Sequence, residues 1–245
     1  MRTVRCHVDA PLQPGLTVEL PEAAAAHLVR VLRLGVGDAL VLFNGDGHDY
    51  PASLVQAGKR GARAEVTGQV PVTNESPLRI TLAQGVARGE KMDWVLQKAT
   101  ELGVAAIAPI LSERTEVKLD AERAEKRLAH WRGVLVAACE QCGRARLPEL
   151  AAPMPLAHWA AAAPEGLKLA LDPEGELRLD ALPTNTQALS LVVGPEGGLS
   201  QRDLETLRAA GFRGLRLGPR ILRTETAGLA AIAALQSRLG DLGDH

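Results

Sequence analysis

Near residue 70 the chain changes its hydrophobic period, and that change decides what it can fold into. Before it, short apolar runs alternate with glycine-rich turns. After it, strand-like runs are separated by segments whose apolar residues step by three and four. Short strands joined by turns close into a small sheet or barrel, whereas strands alternating with helices build a mostly parallel sheet covered by helices. Two domains of different construction are therefore expected.

In the first part, residues 3–8, 16–20, 39–43, 49–55 and 62–70 read as strands, and Asn44-Gly45 is a strong turn signal. One helix is expected between Pro21 and Gly35, where Ala24, Leu28, Val31 and Leu32 recur at helical spacing. A β-barrel with one helix over residues 1–72 is the natural package. The Pro-containing polar run from Val70 to Pro77 reads as a linker, with 73–77 as its centre.

From residue 78 to 245 an α/β domain with a mostly parallel sheet is expected. Leu78, Ile80 and Leu82 alternate as in a strand, and Met92, Val95, Leu96, Ala99 and Leu102 follow at helical spacing up to Gly103. Residues 105–111 form a buried strand. Leu128, Trp131, Leu135, Ala138 and Cys142 mark a long amphipathic helix from about residue 120. Further strands fall at 167–171, 189–193 and 214–217, and further helices at 201–210 and 224–239.

Composition narrows the functional classes. The only aromatics are Phe43, Tyr50, Trp94, Trp131, Trp159 and Phe212, too few for a base-stacking surface of the RRM or OB type. Formal net charge is −1, so any nucleic-acid contact must come from local basic patches. No run approaches ~18 apolar residues, so no membrane span is expected. The first residues lack a long apolar h-region, and three cysteines make no disulfide framework, so the expected location is the reducing cytoplasm. Cys139 and Cys142 form a C-x-x-C, but Cys142 lies on an apolar stripe and no second pair exists. They read as core thiols, and no metal is expected.

Two loops carry the chemistry. In Leu191-Val192-Val193-Gly194-Pro195-Glu196-Gly197-Gly198-Leu199-Ser200 a buried strand runs into a three-glycine loop, and Ser200 with Asp203 starts the next helix as a capping box. Such loops, at the carboxyl ends of parallel strands, are where open sheets bind ligands. Neither a dinucleotide G-x-G-x-x-G nor a phosphate-binding P-loop is present. The second loop, Leu217-Gly218-Pro219-Arg220-Ile221-Leu222-Arg223-Thr224-Glu225-Thr226-Ala227, again joins a strand to a helix. Arg213, Arg216, Arg220 and Arg223 lie in or just before it, with no acid from 213 to 223. Together the loops outline a cleft for a ligand beside an anionic polymer. From the residues alone the alternatives are a tight turn without ligand, and arginines that face solvent or pair with Glu196, Glu205 and Glu225.

The two loops together resemble those of the RsmE family, uridine-N3 methyltransferases of small-subunit ribosomal RNA in the SPOUT superfamily. Further blocks in matching order are Gly89-Glu90-Lys91-Met92, Gln97-Lys98-Ala99-Thr100-Glu101-Leu102-Gly103-Val104, Ser112-Glu113-Arg114, Glu140-Gln141-Cys142-Gly143-Arg144 and His27-Leu28-Val29-Arg30-Val31-Leu32-Arg33. The resemblance implies a PUA-like barrel, a SPOUT domain with a trefoil knot, and a homodimer with its sites near the subunit interface. It implies S-adenosylmethionine as cofactor, bound by Leu171 and Asp172, by Val193, Gly194, Pro195, Glu196, Gly197 and Gly198, and by Leu217, Gly218, Ile221 and Leu222. The implied substrate is a uridine of 16S rRNA, on the assembled 30S subunit. Arg220 or Arg223 would stabilise charge developing on the uracil. Glu196 or Glu225 would take the proton or, as favoured, anchor an arginine. Arg114 and Arg144, in the matching blocks, are site candidates that hold RNA phosphate or structure, and His27, Arg30 and Arg33 are candidates for an RNA-docking edge. Where relatives have paired histidines this chain has Ala26-His27, so no catalytic histidine is assigned there. Two alternatives are carried: a related enzyme acting on another RNA or base atom, and a non-catalytic RNA-binding assembly factor.

Overall fold

Leu40 and Leu42 point into a core while Val41 between them is half-buried, as the two-residue period of a strand requires. This strand belongs to the first of two units in the computed structural model, which describes residues 4–58, 61–117 and 120–243. The expected first strand began at residue 3, which lies outside the described residues. The first unit runs up to Glu75 and includes Cys139–Leu147; the second takes Ser76–Ala138 and the chain from Pro148.

The strands of the first unit are β1 (Arg5–His7), β2 (Thr17–Glu19), β3 (Ala39–Phe43), β4 (His48–Gly58), β5 (Gly61–Val66) and β6 (Val70–Pro71). They form a mixed sheet in the order β1-β3-β4-β5-β2, with β6 on β4; only β1 and β3 run parallel. Helix α1 (Glu22–Ala26) begins after Pro21, which takes the capping position, and continues as a π turn, His27–Val31. Ala25 and Leu28 bury its inner face against Leu20, Leu54 and Ala64.

Two expectations change here. The helix does not run to Gly35: it ends in the π turn, and Arg33 beyond it has φ 58. Positions three apart do not stack on a π turn as they do on an α-helix. His27, Arg30 and Arg33 are all exposed but share no single helical flank. The supposed linker is also tied down: Val70 and Pro71 pair with Asp49 and His48, and Asn74 Nδ2 donates to the Gly143 carbonyl at 3.1 Å.

Arg144 takes the structural of its two readings. It is 4% exposed, and its Nε and Nη2 donate to the two carboxylate oxygens of Glu75 at 3.0 and 2.6 Å. A buried guanidinium held in this two-pronged way is a structural group, not a grip for phosphate in solvent. Cys139 lies nearby with Phe43 and Ala145, and burial pushes its thiol up to about 12, as for a core cysteine.

The second unit comprises β7 (Arg79–Gly85), α2 (Glu90–Glu101), β8 (Ala106–Leu111), α3 (Ala121–Cys142, whose last turn belongs to the first unit), β9 (Glu149–Leu150), β10 (Met154–Pro155), α4 (Leu156–Ala161), β11 (Leu167–Leu171), β12 (Ala188–Val193), α5 (Gln201–Ala209), β13 (Arg213–Leu215) and α6 (Thr224–Leu239). Every pairing in its sheet is parallel, in the order β10-β8-β7-β12-β11-β13, with β9 on β8. Such a sheet is buried on both faces, and its strands read as near-continuous apolar runs. Leu191 faces a core shared with Met92, Leu96, Trp131 and Ile232, from α2, α3 and α6. Its neighbour Val192 faces the other core, with Trp159, Leu207 and Phe212. Each large side chain so buried contributes roughly 1.5–3 kcal/mol.

Candidate active site

Strands β12, β11 and β13 are neighbours and run parallel, so their carboxyl ends meet at one edge of the sheet. The loops that leave them enclose a cavity of about 500 Å³, within the ~300–1,000 Å³ typical of small-molecule sites. Leu171 and Asp172 enter it after β11, Val193 through Gly198 after β12, and Leu217, Gly218, Arg220, Ile221, Leu222 and Arg223 after β13. Residues from three separate stretches of sequence thus line one space.

The first loop is held rigidly. Gly198 N–H donates to the Pro195 carbonyl at 2.8 Å. Ser200 Oγ accepts from Asp203 N–H at 3.0 Å while Asp203 Oδ2 accepts from Ser200 N–H at 2.9 Å, completing the capping box that starts α5. Gly194 has no room for a side chain: a Cβ there would stand 2.8 Å from the Gly198 carbonyl carbon. Arg114 Nη1 donates to the Gly197 carbonyl at 3.0 Å, so this exposed arginine braces the loop from outside.

Lys91, which sequence reasoning left without a role, organises the charges. Its Nζ lies 3.5 Å from Glu196 Oε1 and 3.8 Å from Glu225 Oε2. Arg88 N–H also donates to Glu196 Oε1, at 3.0 Å. Burial pushes the Glu196 carboxyl up, but the Arg88 N–H, its own N–H and the Lys91 ammonium outweigh this and hold it below the usual carboxylate range. Glu196 therefore anchors a lysine rather than an arginine, and its lowered pKa makes it a weak proton acceptor. The signal for Lys91 was present: a cation in the first turn of α2 opposes the helix dipole and needs another reason to be there.

The sign of the pH effect follows. A depressed native pKa contributes stability above the ordinary carboxylate value of ~4.3, lost as pH falls through the native value. Glu196→Gln is expected to lower the thermal midpoint at neutral pH. That deficit should shrink on acidification and vanish below the native pKa. Melting curves of both proteins between roughly pH 3 and 7 check this; a pH-independent gap would remove the ion latch.

Glu205 accepts from Gln201 Nε2 at 3.0 Å, so all three carboxylates available to the arginine cluster have other partners. Among the described residues Arg213, Arg216, Arg220 and Arg223 make no ion pair, and all four are exposed. A second cavity, of about 490 Å³, is lined by Arg178, Leu179, Asp180, Arg216, Gly218 and Pro219, and shares Arg216 and Gly218 with the first. The site is a mostly apolar pocket with backbone donors and acceptors at its wall and uncompensated positive charge at its rim.

A model of an RNA methyltransferase domain matches residues 74–236, and one of an RNA methyltransferase PUA domain matches residues 20–67. Ribosomal RNA small subunit methyltransferase E from Buchnera aphidicola (subsp. Schizaphis graminum) is 32% identical over 242 residues, 98% of each chain. The chain belongs to the ribosomal RNA small subunit methyltransferase E family. The Bacillus subtilis member is 32% identical over 224 residues, 85% of each chain. Two solved structures carry the likeness into three dimensions. Methyltransferase E from Neisseria gonorrhoeae, bound to S-adenosylmethionine, is 39% identical with a TM-score of 0.91, covering 98% of this chain and 99% of that one. A putative methyltransferase from Legionella pneumophila, also with S-adenosylmethionine, is 41% identical with a TM-score of 0.96, covering 99% and 100%. Membership makes this chain an rRNA methyltransferase. In the cavity lining Leu171, Val193 and Leu222 are apolar, and Asp172 and Glu196 carry acceptors for hydroxyl or ammonium groups.

Proposed function

We propose that this methyltransferase uses S-adenosylmethionine to methylate N3 of one uridine in 16S rRNA, on the assembled 30S subunit. The observation that carries this reading is the loop-lined cavity with unpaired Arg220 and Arg223 among its walls. The bound cofactor supplies a methyl group on a sulfonium, activated for transfer. The protein's own task is to place the target base in line with that methyl and to stabilise the charge that spreads over N3 and its flanking carbonyls as the proton is lost. A guanidinium without a competing carboxylate is suited to that charge, and Arg220 and Arg223 meet the requirement. Glu196, locked to Lys91, keeps the cofactor loop in place.

RNA docking is assigned to the arginine rim and Arg114, and to exposed His27, Arg30 and Arg33 in the PUA-like domain of residues 1–72. A homodimer in the cytoplasm, with a trefoil knot in the C-terminal domain, completes the reading. Trp94 at 63% and Ile221 at 78% exposure are large apolar side chains of the kind a partner surface covers.

The test is methyl transfer from labelled S-adenosylmethionine to small subunits lacking the modification, with naked rRNA and tRNA alongside and mass spectrometry of the modified nucleoside. N3-methyluridine on the small subunit is the expected product. Methylation of tRNA or of another base atom would replace the substrate assignment. RNA binding with no transfer to any RNA would make the chain a binding protein.

A further inference from the structure

Gln84, one residue before the end of β7, is fully buried beside the apolar side chains Ile80, Leu82 and Ala83 of the same strand. A buried amide needs partners, and one of this one's donors reaches Thr224, which lines the cavity. Gln84 Nε2 donates to the Gly85 carbonyl at 3.0 Å and to Thr224 Oγ1 at 2.9 Å. Thr224 in turn donates its hydroxyl proton to the Gly194 carbonyl at 2.6 Å. A hydroxyl has one proton, so the chain runs in one direction: amide to hydroxyl to loop carbonyl.

Two features set this chain apart from the apolar packing around it. Among the described residues Gln84 Oε1 is buried without a hydrogen-bond partner, which destabilises the native state. Thr224 is the first residue of α6, and its hydroxyl spends its one proton outside the helix, on the Gly194 carbonyl. Close packing reinforces the link. A Cβ on Gly85 would stand 2.8 Å from the Gly194 carbonyl carbon and 2.6 Å from Pro195 Cδ, so the end of β7 lies directly against the first loop. Gly228 brings α6 into contact as well, its Cβ position being 3.4 Å from Gln84 Oε1 and from Val193 Cγ2.

We propose that Thr224, oriented by Gln84, is a positioning residue that ties the Gly194 loop to the start of α6. It thereby sets the cofactor loop and the adjoining Arg223 relative to one another. This rests on the cavity being the S-adenosylmethionine site. It assigns to a buried strand residue, 140 positions from Thr224 in sequence, control over how well that site is formed.

The test compares Gln84→Met, Thr224→Val and Thr224→Ser with the wild type, by calorimetric binding of S-adenosylmethionine without RNA and by thermal midpoint. Gln84→Met keeps the shape and removes the orphaned acceptor, so its midpoint should equal or exceed the wild-type value while cofactor affinity falls about tenfold. Thr224→Val should lose affinity similarly, and Thr224→Ser, which keeps the hydroxyl, should recover most of it. The proposal is overturned if Gln84→Met and Thr224→Val bind as tightly as wild type. It is equally overturned if Gln84→Met melts well below wild type, or if serine is no better than valine, since the pair would then serve packing alone. A wild-type protein that binds no S-adenosylmethionine would instead sink the reading of the cavity.

Discussion

Arg223→Ala is expected to lower single-turnover methyl transfer by roughly 10²–10³-fold, the cost of removing one preorganised group that stabilises developing negative charge. The fold should persist. Arg223 occupies the capping position of α6 through its backbone, whose carbonyl accepts from Thr226 N–H at 2.9 Å and Ala227 N–H at 2.7 Å. Its side chain makes no capping bond and, among the described residues, no ion pair, so alanine removes the guanidinium and little else. Arg223→Lys should recover only part of the rate, because an ammonium cannot present two parallel donors. Single-turnover assays with labelled cofactor, paired with circular-dichroism melts, check both variants. Unchanged turnover would take Arg223 out of the chemistry and leave Arg220.

Gly194→Val is expected to weaken cofactor binding by at least about 100-fold. The new Cβ would stand 2.8 Å from the carbonyl carbon of Gly198 and 2.9 Å from the backbone nitrogen of Leu199. Both are backbone atoms of the same loop, so relief requires the loop itself to open. Gly197→Val makes an instructive contrast. Its Cβ would meet Arg114 Cβ at 3.0 Å and the Arg114 carbonyl oxygen at 3.4 Å, wider gaps on a separate segment, so a smaller loss is expected. Calorimetric titration of S-adenosylmethionine measures both. Filter binding of RNA, assigned to groups outside this loop, should change little in Gly194→Val. Cofactor affinity retained in Gly194→Val would mean that the Val193–Gly198 stretch is not a cofactor loop.

Much of the second unit was legible because long apolar periods bounded by glycine leave few alternatives. The strand expected at 167–171 and the helix expected at 224–239 match β11 and α6. The two-residue strands β9 and β10 were not legible, because two residues carry no period. The π turn at His27–Val31 was hidden for a related reason: its apolar spacing fits an α-helix, and only the hydrogen bonds distinguish the two.

The candidate site divides along the same line. Loop chemistry is local, so the glycines of Val193–Gly198 and the acid-free arginine run from 213 to 223 could be read directly from the chain. Convergence of those loops also followed from local pattern, since parallel strands must end on a common edge. Which charges pair is a different matter, decided by distances between residues remote in sequence. Lys91 and Glu196 are 105 positions apart, and only the folded chain brings them within 3.5 Å and so leaves the arginines free. Arg144 went the other way. Its place in a family block left phosphate or structure open, and burial beside Glu75, 69 positions away, made it a structural group. Periodicity specifies elements because it acts over a few residues; the partner of a charge is specified by tertiary packing, which no local window contains.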